Sequence, residues 1–284
     1  MKFEDISIGA VSLGWSGTPL PQVFEELAAM GGTCVEINGN TERHHGIALN
    51  SETIPQVLAW AGDCGLAIHS LSGYCDFAQQ DGARLEAEIE QLMTTCRAAA
   101  QMNVPIVRAF TGDVKAGIDL DAVRPSIVAG FRQACEQAQA LGVTLGIENH
   151  GRLINDGPAL VELVREVTLS GNGAHNLGFT LDTGNFAWAG HDAAQVEADF
   201  AAVLPYVVSV HIKDGTWTGE GFDFVPAGEG ELPLAQLLHD LVERGWRGPV
   251  YSEFEGAGDF REGTRKSIAY LRHVLPPLAA GPTP

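Results

Sequence analysis

Short apolar segments alternate with longer amphipathic segments over nearly the whole chain. Apolar runs of this length, bounded by glycine and polar turn residues, are typical of buried strands. The pattern predicts eight strands, at residues 6–15, 33–39, 66–73, 104–112, 143–151, 177–185, 207–215 and 249–256. Apolar residues at helical spacing predict helices between the strands, most clearly at 82–101, 119–141 and 232–246.

This alternation of strands and helices predicts an α/β fold, a single (β/α)8 TIM barrel. A length of 284 residues suits one such barrel. We expect the barrel to occupy residues 1–275 and a loose C-terminal tail to occupy 276–284. An open doubly wound sheet is the alternative. That fold usually carries a glycine-rich nucleotide-binding loop after its first strand, and the segment SLGWSGTPLP matches such a loop poorly.

The charge balance narrows the range of partners. The chain has 17 lysine and arginine residues against 36 acidic residues, a formal net charge of −19, which disfavours nucleic acid and membrane surfaces. A small anionic substrate remains compatible, because a few local cations can override the global field. The start MKFEDISIGA has no cleavable signal pattern, and the five cysteines show no metal-type spacing, so we expect a cytoplasmic protein with reduced thiols.

Polar residues follow the apolar part of seven consecutive predicted strands. In a TIM barrel the functional groups lie at the carboxyl ends of the strands, and strand side chains alternate between two faces. One polar strand end is more often a helix cap or a loop hydrogen-bond partner. Seven at one rim would bury many charges at high cost unless an ion compensated them. The residues are Glu36, His69, Arg108, Glu148 with His150, Asp182, His211 with Lys213, and Glu253 with Glu255.

Four of these residues form a candidate metal site. The carboxylates of Glu148, Asp182 and Glu253 and the imidazole of His211 come from four adjacent strands and can converge on one point above the barrel. Three oxygen donors and one nitrogen suit one divalent metal ion, Mn²⁺ first or Mg²⁺, with Co²⁺, Fe²⁺ or Zn²⁺ as alternatives. The lack of thiolates argues against a structural zinc site.

The motifs GIENH, LDTGN, VHIKD, VPAGEGELPL and GPVYSEFEG, in this order, resemble those of the xylose isomerase-like TIM barrels, also called the sugar phosphate isomerase/epimerase family. The resemblance covers nearly the full chain. It implies one divalent metal held by Glu148, Asp182, His211 and Glu253. The implied activity is an isomerase or epimerase that acts on a keto-sugar or sugar phosphate through a metal-stabilised enediolate. It also implies that Glu148 and Glu253 form the catalytic acid/base pair, that the substrate is small and carbohydrate-like, and that the protein forms a dimer or tetramer.

A second branch of the same superfamily gives a competing interpretation. The ENH and HIKD segments are similar to those of 3-dehydroshikimate dehydratases, which implies a lyase with His150 as the base and Lys213 assisting charge development. Lyases that eliminate from 3-oxo sugars fit equally well. In either case, six residues are expected to contact substrate or wall the pocket: Glu36, His69, Arg108, Asn185, Trp15 and Trp188.

Two further classes are disfavoured. A DNA-repair endonuclease of this superfamily would need a basic binding face, which a net charge of −19 opposes. A non-catalytic binding protein would be expected to have lost at least one of the four ligands.

Overall fold

The computed structural model describes residues 5–169 and 175–279, and these form the predicted (β/α)8 TIM barrel. Eight parallel strands close into a ring in which each strand pairs with two neighbours. All eight predicted strands are present, each shorter than the predicted segment. They are β1 (Ser7–Val11), β2 (Cys34–Asn38), β3 (Ala67–Ser72), β4 (Ile106–Ala109), β5 (Thr144–Glu148), β6 (Leu177–Asp182), β7 (Val207–Ile212) and β10 (Pro249–Ser252). Strands β8 (Asp214–Thr218) and β9 (Gly221–Val225) lie outside the barrel.

Helices surround the ring of strands. The three clearest predicted helices are confirmed at Gly82–Gln101, Leu120–Ala140 and Leu234–Glu243. None of the helices within the described residues is long and apolar enough to cross a membrane. The helices are α1 (Leu20–Ala29), α2 (Thr41–His45), α3 (Ile54–Asp63), α4 (Gly82–Gln101), α5 (Leu120–Ala140), α6 (Gly157–Leu169), α7 (Asn185–Trp188), α8 (Ala193–Val203), α9 (Leu234–Glu243) and α10 (Phe260–Ala279).

The last helix overlaps the start of the predicted tail. Helix α10 continues to Ala279, four residues into the segment predicted to be loose. Its buried residues Ile268, Leu271 and Leu275 recur at helical spacing and pack the helix against the barrel up to Leu275. The rest of the predicted tail, 280–284, lies outside the described residues.

The strands separate two environments. Most of the buried apolar side chains form one core between the strands and the helices. A small separate cluster of Val11, Cys34 and Tyr251 lies apart from it, and Gly9 of β1 pairs with both Cys34 and Tyr251. Toward the carboxyl ends of the strands the buried side chains become polar, beginning with Ser70, whose hydroxyl contacts the phenolic oxygen of Tyr251 at 3.2 Å. The polar half of the barrel carries the candidate site.

A β-hairpin follows β7 and was not predicted. Strands β8 (Asp214–Thr218) and β9 (Gly221–Val225) pair antiparallel, with Trp217 and Phe222 directly opposite each other. The buried carboxylate of Asp214 anchors this region by accepting four backbone N–H bonds, from Gly215, Gly228, Gly230 and Leu232. The hairpin therefore begins from a fixed point directly after Lys213.

Candidate active site

The four predicted metal ligands meet at the carboxyl end of the barrel. One donor atom from each of Glu148, Asp182, His211 and Glu253 lies within 4.8 Å of the others, and all four residues are buried. They come from β5, β6, β7 and the residue after β10, which are neighbours in the barrel. The register pairs Asp182 with His211, and Glu253 continues the ladder by donating its N–H to the carbonyl of Ile212 at 3.0 Å. Neighbouring parallel strands of matched register thus bring the four donors together.

Asp182 is set up to offer one oxygen to a cation. Its Oδ1 accepts hydrogen bonds from the backbone N–H groups of Gly184 (2.9 Å) and Asn185 (3.0 Å). Its Oδ2 accepts none, although Lys213 Nζ lies 3.2 Å away, outside hydrogen-bonding geometry. A buried carboxylate oxygen without a hydrogen bond costs about 1–3 kcal/mol or more. A cation among the four donors would satisfy it.

The local charge balance also fits a cation. Four buried carboxylates, on Glu36, Glu148, Asp182 and Glu253, stand against two buried permanent cations, Arg108 and Lys213. Burial raises the pKa of Asp182 to about 8 against the opposing effect of Lys213, and the neighbouring carboxylates contribute to the rise. With Asp182 ionised and His211 neutral, the states in which both can bind a metal ion, two positive charges would balance this excess. The three oxygens and one nitrogen are donors that Mg²⁺ and Mn²⁺ accept, so these residues fit a divalent metal ion.

Glu36 lies beneath the cluster and not on the wall of the cavity. Its carboxylate is fully buried, accepts hydrogen bonds from Ser70 (2.5 Å) and Ser72 (2.6 Å), and lies 3.1 Å from His211 Nε2. Because Nε2 is held by Glu36, His211 Nδ1 faces the cluster, 3.0 Å from Glu253. Burial alone would lower the pKa of His211, but Glu36 and Glu253 raise it well above its usual value. Glu36 is therefore placed to orient a candidate metal ligand, and it does not line the cavity where a contact with substrate was predicted.

We expect Glu36→Gln to weaken binding of Mn²⁺ about 10–100-fold, the usual cost of losing a carboxylate that orients a metal-binding histidine. Calorimetric titration with Mn²⁺ measures this, and circular dichroism confirms that the barrel is intact. Glu42→Gln, an exposed change just after the same strand, is the control and should bind Mn²⁺ as the unmodified protein does. Equal affinity in Glu36→Gln would contradict the assigned role.

Lys213 reaches the cluster from the side of the hairpin. Its ammonium lies 3.0 Å from Glu255 Oε2 and 3.5 Å from Glu253 Oε2. Burial opposes the charged form, but Asp182 and the two glutamates raise the pKa of Lys213 well above its usual value, so it stays protonated. Asn185 links the two halves of the site: its Nδ2 donates to Glu148 Oε1 at 3.0 Å and its Oδ1 lies 3.5 Å from the ammonium.

Arg108 contacts the same glutamate from the other side. Its Nη1 donates to Glu148 Oε2 at 2.8 Å, and its guanidinium lies 4.4 Å from the ring centre of Phe110 and 5.3 Å from that of Tyr74. Burial opposes the charged form of Arg108, but Glu148, Glu36, Tyr74 and Glu253 together raise its pKa above the usual value. Its Nε and Nη2 are buried and have no hydrogen-bond partner among the described residues.

A cavity of about 370 Å³ opens above the cluster. Glu148, Glu253, Lys213 and Arg108 line it, whereas Asp182 and His211 are not among its lining residues. His150 also lines the cavity, with its ring centre 4.9 Å from that of Phe110, as expected if it shares the inward face with Glu148.

Asn149, between Glu148 and His150, is buried and ties two strands together. Its Nδ2 donates to the carbonyl of Asp182 and its Oδ1 accepts the N–H of Asp182, both at 2.9 Å. This pair extends the β5–β6 contact beyond the last residue of β5.

Five of the six predicted pocket residues do not line the cavity: Glu36 and Asn185, described above, and His69, Trp15 and Trp188. The alignment of β2 with β3 shifts between Val35 and Glu36, which places Ser70 beside Glu36; His69 instead contacts Ser7 at the start of β1, 3.3 Å away. Trp15 is 1% exposed, donates its indole N–H to Glu26 and packs edge-on against Phe260. Trp188 is 41% exposed and lies 5.1 Å from the guanidinium of Arg152.

The cavity also has walls that were not predicted. Tyr74, Phe110 and Leu13 line it, and each follows the carboxyl end of a strand. The strand-end rule that identified the charged residues therefore applied to these as well. Their apolar character made them resemble ordinary core residues.

The comparisons with known proteins agree with this architecture. A family model described as "Xylose isomerase-like TIM barrel" matches residues 24–274. A xylose isomerase-like TIM barrel protein from Mycobacterium smegmatis, solved in complex with magnesium, superposes with a TM-score of 0.77 at 18% identity, covering 96% of this chain and 97% of that one.

Two other solved structures differ in the activity that their names give. A D-tagatose 3-epimerase-like protein has a TM-score of 0.77 at 19% identity, covering 96% of this chain and 98% of that one. A probable 3-DHS dehydratase of Bacillus anthracis has a TM-score of 0.73 at 18% identity, covering 96% and 99%. At these identities the likeness concerns the fold alone. No curated protein matches the chain.

Proposed function

The chain belongs to the xylose isomerase-like TIM barrel family, and we propose that it is a divalent-metal-dependent isomerase or epimerase of a keto-sugar or sugar phosphate. The observation that carries the proposal is the placement of two glutamates around one donor cluster. Glu148 and Glu253 belong to the cluster, line the cavity, and come from sides of the barrel separated by β6 and β7. Solved epimerases of this fold support the sugar class.

Glu148, Asp182, His211 and Glu253 would hold the metal ion. When bound, the ion supplies a Lewis acid that polarises a carbonyl and makes the neighbouring C–H more acidic. Of the two glutamates that flank the cavity, one removes the proton beside the carbonyl and the other returns a proton to the opposite face or to the adjacent carbon. The first outcome is an epimer and the second is an aldose–ketose isomer.

The two buried cations act on the oxygen atoms of the substrate. The Lys213 ammonium, held among three carboxylates, is placed to stabilise negative charge as the proton leaves. Arg108 lines the cavity, and its guanidinium can bind a hydroxyl, phosphate or carboxylate group of the substrate.

A lyase of the dehydratase kind is the second candidate, and His150 favours it. The imidazole lines the cavity next to Phe110, lies outside the donor cluster, and takes part in none of the hydrogen bonds between described residues. It can therefore act as a base that is independent of the metal, with loss of a β-hydroxyl following proton removal.

Incubation in D2O with Mn²⁺ and a panel of D-tagatose, D-psicose, a pentulose 5-phosphate and 3-dehydroshikimate distinguishes the two. We expect deuterium in a recovered sugar epimer or isomer. A rising ultraviolet absorbance from a conjugated product would favour the lyase. In the epimerase, His150→Ala should cost about tenfold or less, whereas loss of a catalytic base costs about 10²–10⁴-fold. His273→Ala, exposed on α10, is the matched control. If no compound of the panel gave deuterium incorporation or a conjugated product, both candidates would be contradicted.

A further inference from the structure

Two further hollows adjoin the cavity on the side of α4. One, of about 290 Å³, shares Tyr74 and Gln91 with the cavity; the next, of about 170 Å³, shares Thr94 and Thr95 with the first. Together they form a groove that leads from the wall of the cavity, between α4 and the loop after β2, to Leu49. We call the two hollows the α4 groove.

The lining of the α4 groove differs in chemistry from that of the cavity. The cavity is built from carboxylates and cations, whereas the described lining of the groove contains no lysine or arginine and one acid, Glu42. A phosphate or carboxylate would lack the cations that usually bind it there. Amide and hydroxyl groups predominate, with Ala48 and Leu49 giving an apolar patch at the far end. Such a surface suits a neutral, hydroxyl-rich ligand with an apolar ring face.

Several polar groups of the groove have hydrogen-bonding capacity left. The side-chain amide of Asn40 and the hydroxyl of Thr95 take part in none of the hydrogen bonds between described residues, and Asn40 is exposed. Gln91 is already oriented, because its Nε2 donates to the carbonyl of Tyr74 at 3.0 Å, which leaves its Oε1 to accept. These groups supply donors and acceptors at three points along the groove.

The groove is held in shape by its neighbours. Gly39 lets the loop after β2 approach α4 closely, since a Cβ there would lie 2.6 Å from the carbonyl oxygen of Ser72 and 3.1 Å from Thr95. Tyr74 is the shared wall: its hydroxyl accepts from Asn38 Nδ2 at 2.7 Å, and its ring lies beside the Arg108 guanidinium. One aromatic residue therefore borders both the cavity and the groove.

We propose that the α4 groove is a second subsite, and that the substrate is a glycoside. In this proposal, which rests on the proposed function, the carbonyl-bearing sugar lies in the cavity and a second neutral sugar unit lies in the groove against Tyr74, Asn40 and Thr95. Two or three hydrogen bonds to the second unit would improve binding about tenfold or more.

Calorimetric titration in the presence of Mn²⁺, with neutral disaccharides and their monosaccharides, tests the subsite. The panel is turanose, palatinose, cellobiose, maltose and lactose, each of which has one sugar unit that can open to a carbonyl form. At least one disaccharide should bind about tenfold or more tightly than either of its monosaccharides. Thr94→Trp, which places a bulky ring in the groove from an exposed position of α4, should remove that advantage while leaving monosaccharide affinity within about twofold. Ala87→Trp, exposed two turns earlier on α4 and outside the lining, should keep it.

The proposal is overturned if every disaccharide binds no tighter than its monosaccharides, or if Thr94→Trp retains the advantage. Failure of the proposed function would look different, because deuterium exchange would be absent while the binding advantage for a disaccharide, and its loss in Thr94→Trp, remained.

Discussion

Replacing Glu253 by glutamine is expected to lower kcat/KM by about 10³-fold or more. The amide keeps the size of the side chain but cannot take up a proton, and general acid–base catalysis by one group contributes about 10²–10⁴-fold. The change also removes from the donor cluster a negative charge that lies close to Lys213 and His211. These effects act in the same direction. The rate of deuterium incorporation into the recovered sugar is the measurement.

Glu255→Gln is the matched control for this experiment. Glu255 lies two residues further along, contacts the same Lys213 ammonium and also lines the cavity, but it is about half exposed and outside the donor cluster. Its loss should change kcat/KM by less than about tenfold. If Glu253→Gln and Glu255→Gln behaved alike, Glu253 would not be the acid or base.

Removal of divalent metal is the second large effect. EDTA should reduce turnover to background, and Mn²⁺ should restore it, because the site then regains the Lewis acid and the positive charge that its buried carboxylates require. Mn²⁺ at 100 times its Kd should stabilise the fold by about 2.7 kcal/mol. This corresponds to a rise in Tm of about 5–10 °C in a barrel of this size. Differential scanning fluorimetry measures the rise independently of activity.

Asp182→Asn separates binding at this site from binding elsewhere. It converts the carboxylate with a free Oδ2 into an amide and should abolish both the rise in Tm and the recovery by Mn²⁺. Asp223→Asn, an exposed change on the hairpin, should leave both intact. Full activity after exhaustive chelation would show that no divalent metal takes part.

The fold and the donor cluster were predictable because the rules behind them are local. Burial on both faces gives each parallel strand a continuous apolar segment, and the barrel places every strand end at one rim. Applied to Glu148, Asp182, His211 and Glu253, these two rules suffice to predict convergence, and the structure brings their donor atoms within 4.8 Å.

The hairpin β8–β9 could have been predicted from the same kind of signal. Trp217, Phe222 and Phe224 flank the turn at Gly219 and Gly221, which is a recognisable strand–turn–strand pattern. The alternation of eight strands with helices accounts for the neighbouring segments without this hairpin, so that pattern alone does not indicate it.

Other roles depended on how separate strands align. His69 was expected at the rim, but the shift between β2 and β3 moves Ser70 and Ser72 next to Glu36 instead. Nothing in the segment around His69 records this, because register is a property of two strands together. Trp15 was similarly expected to wall the cavity, yet its indole N–H finds a partner on α1 and its ring packs into the core.

The sequence by itself therefore determined the barrel, its polar rim and the four candidate ligands, since periodicity and strand ends are written in short segments. Only the tertiary structure decided which side chains contact and orient one another. Glu36 and His211 are 175 residues apart in sequence, and their contact exists only because the closed barrel brings β2 and β7 to opposite sides of one narrow interior. The shared wall formed by Tyr74 has the same origin, because it depends on the packing of one loop against α4 and on one guanidinium from the neighbouring strand β4.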